Sequence, residues 1–196
     1  MTSAPVTAAF GGRRVAAFIA ALAAALVLAL AGCGSSSPTM VSAASYVNSV
    51  CTTAASWYRT IEVAGARLQT TVQTSKSLSN VKSAYVDFVD TLLATTRRAG
   101  QQLRNAGTPK VDRGKKISDE VVSAFDGAQH GLKIAAAEVR DAPTSSTTGF
   151  ESAAGNVQAT VQRALQRMTG LAPRKNPQLH SAALKDPSCQ RLRTLG

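Results

Sequence analysis

Residues 117–139 read ISDEVVSAFDGAQHGLKIAAAEV, and Ile117, Val121, Ala124, Ala128, Leu132, Ala135 and Val139 recur within them at spacings of 4-3-4-4-3-4. Steps of three and four return to one face of a 3.6-residue turn, so the stretch predicts an amphipathic helix with a single buried stripe. Pro143 marks its end, because proline has no amide to donate and crowds the preceding turn. A helix apolar on one face only must find other apolar faces to cover it.

Matching stripes stand on both sides. Downstream, Phe150, Ala154, Val157, Val161, Ala164, Met168 and Leu171 repeat at 4-3-4-3-4-3, and Gly170 and Pro173 terminate the run. Thr148-Gly149-Phe150-Glu151 has the pattern of a capping box, in which hydroxyl and carboxylate satisfy exposed amides. Upstream, Val81, Tyr85, Phe88, Leu92, Ala99 and Leu103 form a stripe that Gly107-Thr108-Pro109 terminates. Earlier still, from about Ser42 to Gln69, Tyr46, Val50, Trp57, Ile61, Ala64 and Leu68 keep helical phase. Trp57 lies in phase with that stripe, which predicts a core residue rather than a sugar-binding platform. Thr70 to Ser79 is polar and reads as a loop.

No segment alternates over the length of a strand, so essentially no sheet is expected. The fold class is all-α: an antiparallel four-helix bundle followed by a short C-terminal helix. That last helix opens at Asn176-Pro177, buries Leu179, Ala182 and Ala183, and leads toward Pro187 and Cys189.

The first 33 residues obey a different logic. Arg13-Arg14 precede an uncharged apolar run from Val15 to Ala31, and Leu30-Ala31-Gly32-Cys33 ends it. This is the layout of an export signal. The run is at the short edge of spanning length, roughly 17–25 residues, so a retained membrane helix is the weaker reading. The Arg pair lacks the flanking residues of a twin-arginine signal. Leu30-Ala31-Gly32-Cys33 resembles the lipobox of bacterial lipoproteins. That resemblance implies cleavage after Gly32, diacylglycerol on Cys33, and a mature chain on the outer face of the cytoplasmic membrane. With its signal, helical domain and cysteine-bearing tail, the chain is similar to small actinobacterial cell-envelope lipoproteins, a resemblance that implies no active site. The expected division is a signal peptide at 1–32, a flexible tether at 33–41 and a helical domain at 42–196. The Ser/Gly/Pro-rich tether has a coil length of about 15 Å, which keeps the domain near the bilayer.

If Cys33 carries lipid, Cys51 and Cys189 are left as a pair in an oxidising compartment, and a disulfide is their expected fate. No histidine or further cysteine stands at zinc-like spacing from either one.

Of 196 residues, 164 remain after residue 32, enough for one domain with its own core. The formal charge of +11 becomes +9 without Arg13 and Arg14. A cationic chain beside a membrane is drawn to anionic head groups or envelope polymers. Export and the absence of any RNA-binding signature argue against nucleic acid. The densest cations are Arg97, Arg98 and Arg104, followed by Lys110, Arg113, Lys115 and Lys116. They fall at the end of the second stripe, in its loop and at the start of the third. We expect them to gather at one end of the bundle, near the tether, as an anionic-surface site.

Catalysis has little to build on. His130 and His180 are the two histidines, and Asp87 with Asp90 and Asp119 with Glu120 read as solvated or dipole-complementing pairs. There is no phosphate loop, di-metal motif or c-type haem motif, so no catalytic residue, metal or cofactor is assigned. The expected function is a non-enzymatic binding or scaffold module of the envelope, meeting another envelope protein or an anionic polymer or lipid. The alternative is a carrier whose bundle opens around a small apolar ligand or lipid, which requires a connected apolar cavity of roughly 300 Å³ or more.

Overall fold

The computed structural model describes residues 39–170 and 176–193. The signal and lipidation reading, Cys33 included, lies outside them, as do Leu171 and the side chain of Met168. The described residues are mostly helical and belong to one compact unit, Pro38–Gly196. Four long helices come first: α1 (Ala43–Thr74), α2 (Leu78–Asn105), α3 (Gly114–Asp141) and α4 (Thr147–Gly170). Two short ones follow, α5 (Pro177–Lys185) and α6 (Pro187–Arg193). Among the described residues no helix is long and apolar enough to cross a membrane.

Local chemistry sets each boundary. The hydroxyl of Ser42 accepts from the amide of Ser45 at 3.1 Å, capping α1. Val41, just before the cap, packs against the cluster containing Tyr46, the arrangement of a hydrophobic staple. The expected loop at 70–79 is mostly helix instead, because α1 continues to Thr74. The hydroxyls of Thr70, Thr71 and Thr74 donate to the carbonyls of Ala66, Arg67 and Thr70, so these polar residues are satisfied inside the helix. Only Ser75–Ser77 separate α1 from α2.

Helix α4 also differs from expectation at its start. The hydroxyl that accepts from the amide of Gly149, at 3.3 Å, belongs to Ser146, so the cap lies ahead of Thr148 and the Thr148/Glu151 box does not form. At the end of α3, Lys82 reaches across from α2 and donates to the carbonyl of Ala142 at 2.6 Å. The cap of α5 is as expected: Asn176 Oδ1 accepts from Gln178 and Leu179, with Pro177 at the first helical position. The single short terminal helix becomes two, since Asp186 ends α5 and its Oδ1 accepts from the amides of Ser188 and Cys189 to start α6.

Each long helix packs against the one before it in sequence, and α5 and α6 lie on α1. The apolar residues form three clusters. One joins Val89 and Leu92 of α2, Leu132, Ala135 and Val139 of α3, and Phe150 and Val157 of α4. A second sets Trp57 against Ala99, Leu103, Val121 and Phe125. Trp57 is core, as its phase implied: it is 4% exposed, packs edge-on to Phe125 at 5.6 Å, and donates Nε1–H to Thr96 Oγ1 at 2.9 Å. Phe125 and Val89 lie outside the narrow stripes read from the sequence, yet both are buried. A helix covered from two sides buries a wider arc than one seam.

The third cluster closes one end. Tyr46, Val47 and Cys51 of α1 meet Leu179 and Ala183 of α5 and Cys189 of α6, with Val41, Ala106, Val111 and Ile117 packed around them. Cys51 and Cys189 are disulfide-bonded with their Cα atoms 5.0 Å apart. A small parallel sheet is the further departure from an all-helical expectation. Met40–Val41 (β1) pairs with Thr108–Pro109 (β2), Met40 opposite Thr108 and Val41 opposite Pro109. Residues read as the end of a free tether are therefore hydrogen-bonded into the domain.

Candidate functional site

The end built on the third cluster gathers the start of α1, the α2–α3 turn, and α5 with α6. The turn is tightly determined. Thr108 N donates to Thr39 O and Lys110 N to Val41 O, both at 2.8 Å. Gly107 has φ +81°, a conformation open to glycine, and Arg113 at the cap of α3 has φ +56°, uncommon for a side-chain-bearing residue. Gly114 lies against the Pro109 carbonyl with no room for a β-carbon. The Asn176 amide donates to Asp112 O at 3.3 Å, joining the head of α5 to the same turn.

This scaffold displays Lys110, Arg113, Lys115 and Lys116, all exposed. Arg113 Nε lies 3.7 Å from Asp112 and Lys115 Nζ lies 2.7 Å from Asp119. Lys110 and Lys116 have no carboxylate within ion-pair distance among the described residues. The seven cations expected as one group divide in space. Arg104 bonds Asp126 of α3 at 2.9 Å, which offsets its charge, while Arg97 and Arg98 stand roughly 10 Å further along α2.

Sequence reading missed one contributor to this end. Met40 is 51% exposed although its strand is held by hydrogen bonds. The available signal was the apolar Met40-Val41 pair inside a Ser/Pro-rich stretch, directly before a serine able to cap a helix.

Beside the disulfide, polar contacts tie α1 to the tail: Thr52 Oγ1 to Ser188 Oγ at 3.1 Å, and Asn48 Nδ2 to Asp186 Oδ2 at 3.0 Å. Partial burial by itself raises the carboxyl of Asp186. The hydrogen bonds from Asn48, the Cys189 and Ser188 amides and the Ser188 hydroxyl outweigh that and hold it below the usual range. Tyr46, in the same cluster, is pushed up to about 12, first by burial and then by the negative charge of Asp119. These groups build the end; none is arranged as a nucleophile with its base.

His130 and His180 are exposed and lie on different helices. Among the described residues no group of three His, Cys, Asp or Glu side chains could hold a metal ion. Of the expected surface site, Lys110, Arg113, Lys115 and Lys116 lie within the α2–α3 turn and the first turn of α3, Arg104 in the last turn of α2 is paired with Asp126, and Arg97 and Arg98 lie further back along α2. Compared with family models, with curated proteins and with solved structures, the chain matches none.

Proposed function

We propose that the chain is an extracytoplasmic lipoprotein, anchored through diacylglycerol on Cys33, that serves as a non-enzymatic binding or scaffold module of the cell envelope. We read its helical domain as an antiparallel four-helix bundle, joined to its own C-terminal tail by the disulfide. The observation that carries the reading is the division of the three cysteines. Cys51 and Cys189 are consumed in a buried bond, which fits an oxidising compartment. Cys33 stands apart, directly after an apolar run and a small residue. A basic end with two uncompensated lysines supports attraction to an anionic surface. Replacing Cys33→Ala in the full chain tests the anchor: the protein is expected to leave the detergent phase or persist as uncleaved precursor. Normal processing with unchanged partitioning overturns the proposal.

A further inference from the structure

The basic turn and the point where the chain enters the domain are one structure. Thr39 O and Val41 O accept from the amides of Thr108 and Lys110, so the entering strand is fixed directly beside the turn. Val41 points toward the apolar cluster, and strand alternation sends Met40 the other way, where it is 51% exposed. Holding a flexible thioether outward in a hydrogen-bonded strand does nothing for the core. Lys110 follows its partner strand directly, its amide bonded to Val41 O, while Arg113 at the cap of α3 and Lys116 in the first turn of that helix are exposed further along the same connection.

We propose that Met40 with Lys110, Arg113 and Lys116 forms a membrane-facing surface that docks the domain on an anionic lipid bilayer, the thioether entering the interface while the cations meet head groups. The inference rests on the lipid-anchor reading. A chain tied down just before Thr39 can bring this end to the bilayer more readily than any other. Cations near an anionic leaflet attract it within a Debye length, about 10 Å at 0.1 M salt. An apolar side chain among bases is the composition of interfacial binding segments. The β1–β2 pair holds Met40 in a fixed position beside the α2–α3 turn. Arg104 is neutralised by Asp126, and Arg97 and Arg98 lie further back along α2.

The test uses the full chain carrying Met40→Trp, incorporated into vesicles of brominated phosphatidylglycerol or brominated phosphatidylcholine. Trp57 is 4% exposed and provides a constant background. Emission from the introduced indole is expected to be quenched on the anionic vesicles and far less on the neutral ones. Adding Lys110→Gln, Arg113→Gln and Lys116→Gln is expected to abolish the difference, as is high salt. A Val72→Trp chain places its probe about 40 Å further along α1 and is expected to escape quenching. On the unaltered chain, amine labelling of Lys110 and Lys116 is expected to fall on anionic vesicles while that of Lys76 does not.

Flotation with the neutral vesicles reads the anchor separately. A chain that floats without selective quenching or protection overturns the surface and leaves the anchor standing. A chain that does not float with neutral vesicles but is quenched by anionic ones overturns the anchor and supports the surface. Equal quenching at positions 40 and 72 overturns the fixed orientation.

Discussion

The carbonyl oxygen of Thr39 lies so close to Gly107 that a β-carbon built on the glycine would come within 2.5 Å of it. The glycine ends α2, turns the chain at φ +81°, and lets the entering strand pass against the α2–α3 turn. One residue thus serves both helix termination and strand attachment.

Gly107→Ala should disrupt both roles. Backbone strain and the clash together are expected to cost about 1–3 kcal/mol. Amide exchange at Thr108 and Lys110, whose N–H groups donate to Thr39 and Val41, should accelerate more than exchange in α3. Unchanged exchange at those two amides would show that the pairing does not depend on glycine.

The disulfide closes a sequence separation of 138 residues and holds the tail on α1. Cys189→Ser, or reduction, is expected to lower stability by about 2–5 kcal/mol. Loss of protection should begin in α5 and α6, whose remaining ties include the Asn48–Asp186 and Thr52–Ser188 hydrogen bonds. Thermal melts with and without reductant measure this, and coincident melts would contradict it.

Acid should loosen the same contact. Asp186 is held below the usual carboxylate range in the folded chain by its hydrogen bonds, against the effect of burial. The unfolded state therefore takes up the proton first, and the stabilisation present above about pH 4 is lost as pH falls toward the folded value. Asp186→Asn should flatten the acid limb of a stability-against-pH curve and leave the neutral-to-alkaline limb parallel to wild type. An acid limb of unchanged slope would assign the effect elsewhere.

The alkaline side has its own group. Tyr46 is pushed up to about 12 by burial and by Asp119. The unfolded tyrosine releases its proton near pH 10, so stability is expected to fall as pH rises above that value. Tyr46→Phe removes this slope while keeping the ring in the cluster. Persistence of the slope in the variant would count against Tyr46 as its source.

The long helices were legible because burying one face imposes a 3.6-residue period on the apolar residues, and Ile117–Val139 displays it almost without interruption. The tail cap was legible too, since Asn-Pro satisfies two amides and removes a third. What escaped reading depends on partners distant in sequence. Helix α1 runs on to Thr74 with threonine hydroxyls bonded to carbonyls within the helix, an arrangement that composition alone does not reveal. Two strands of two residues each show no alternation, and their pairing rests on a turn that begins at Gly107. Phe125 is buried because α1 brings Trp57 against it. The basic site looked larger in one dimension, since Arg104 finds Asp126 only once α2 and α3 are packed.

The central claim, a chain tethered by lipid at Cys33 and closed by its other two cysteines, is tested most directly by intact mass spectrometry of the protein purified from membranes without reductant. The expected species begins at Cys33, carries the mass of a diacylglycerol on that residue, and is lighter by two hydrogens for the Cys51–Cys189 bond. A species that retains residues 1–32, or that begins elsewhere without lipid, would contradict the account.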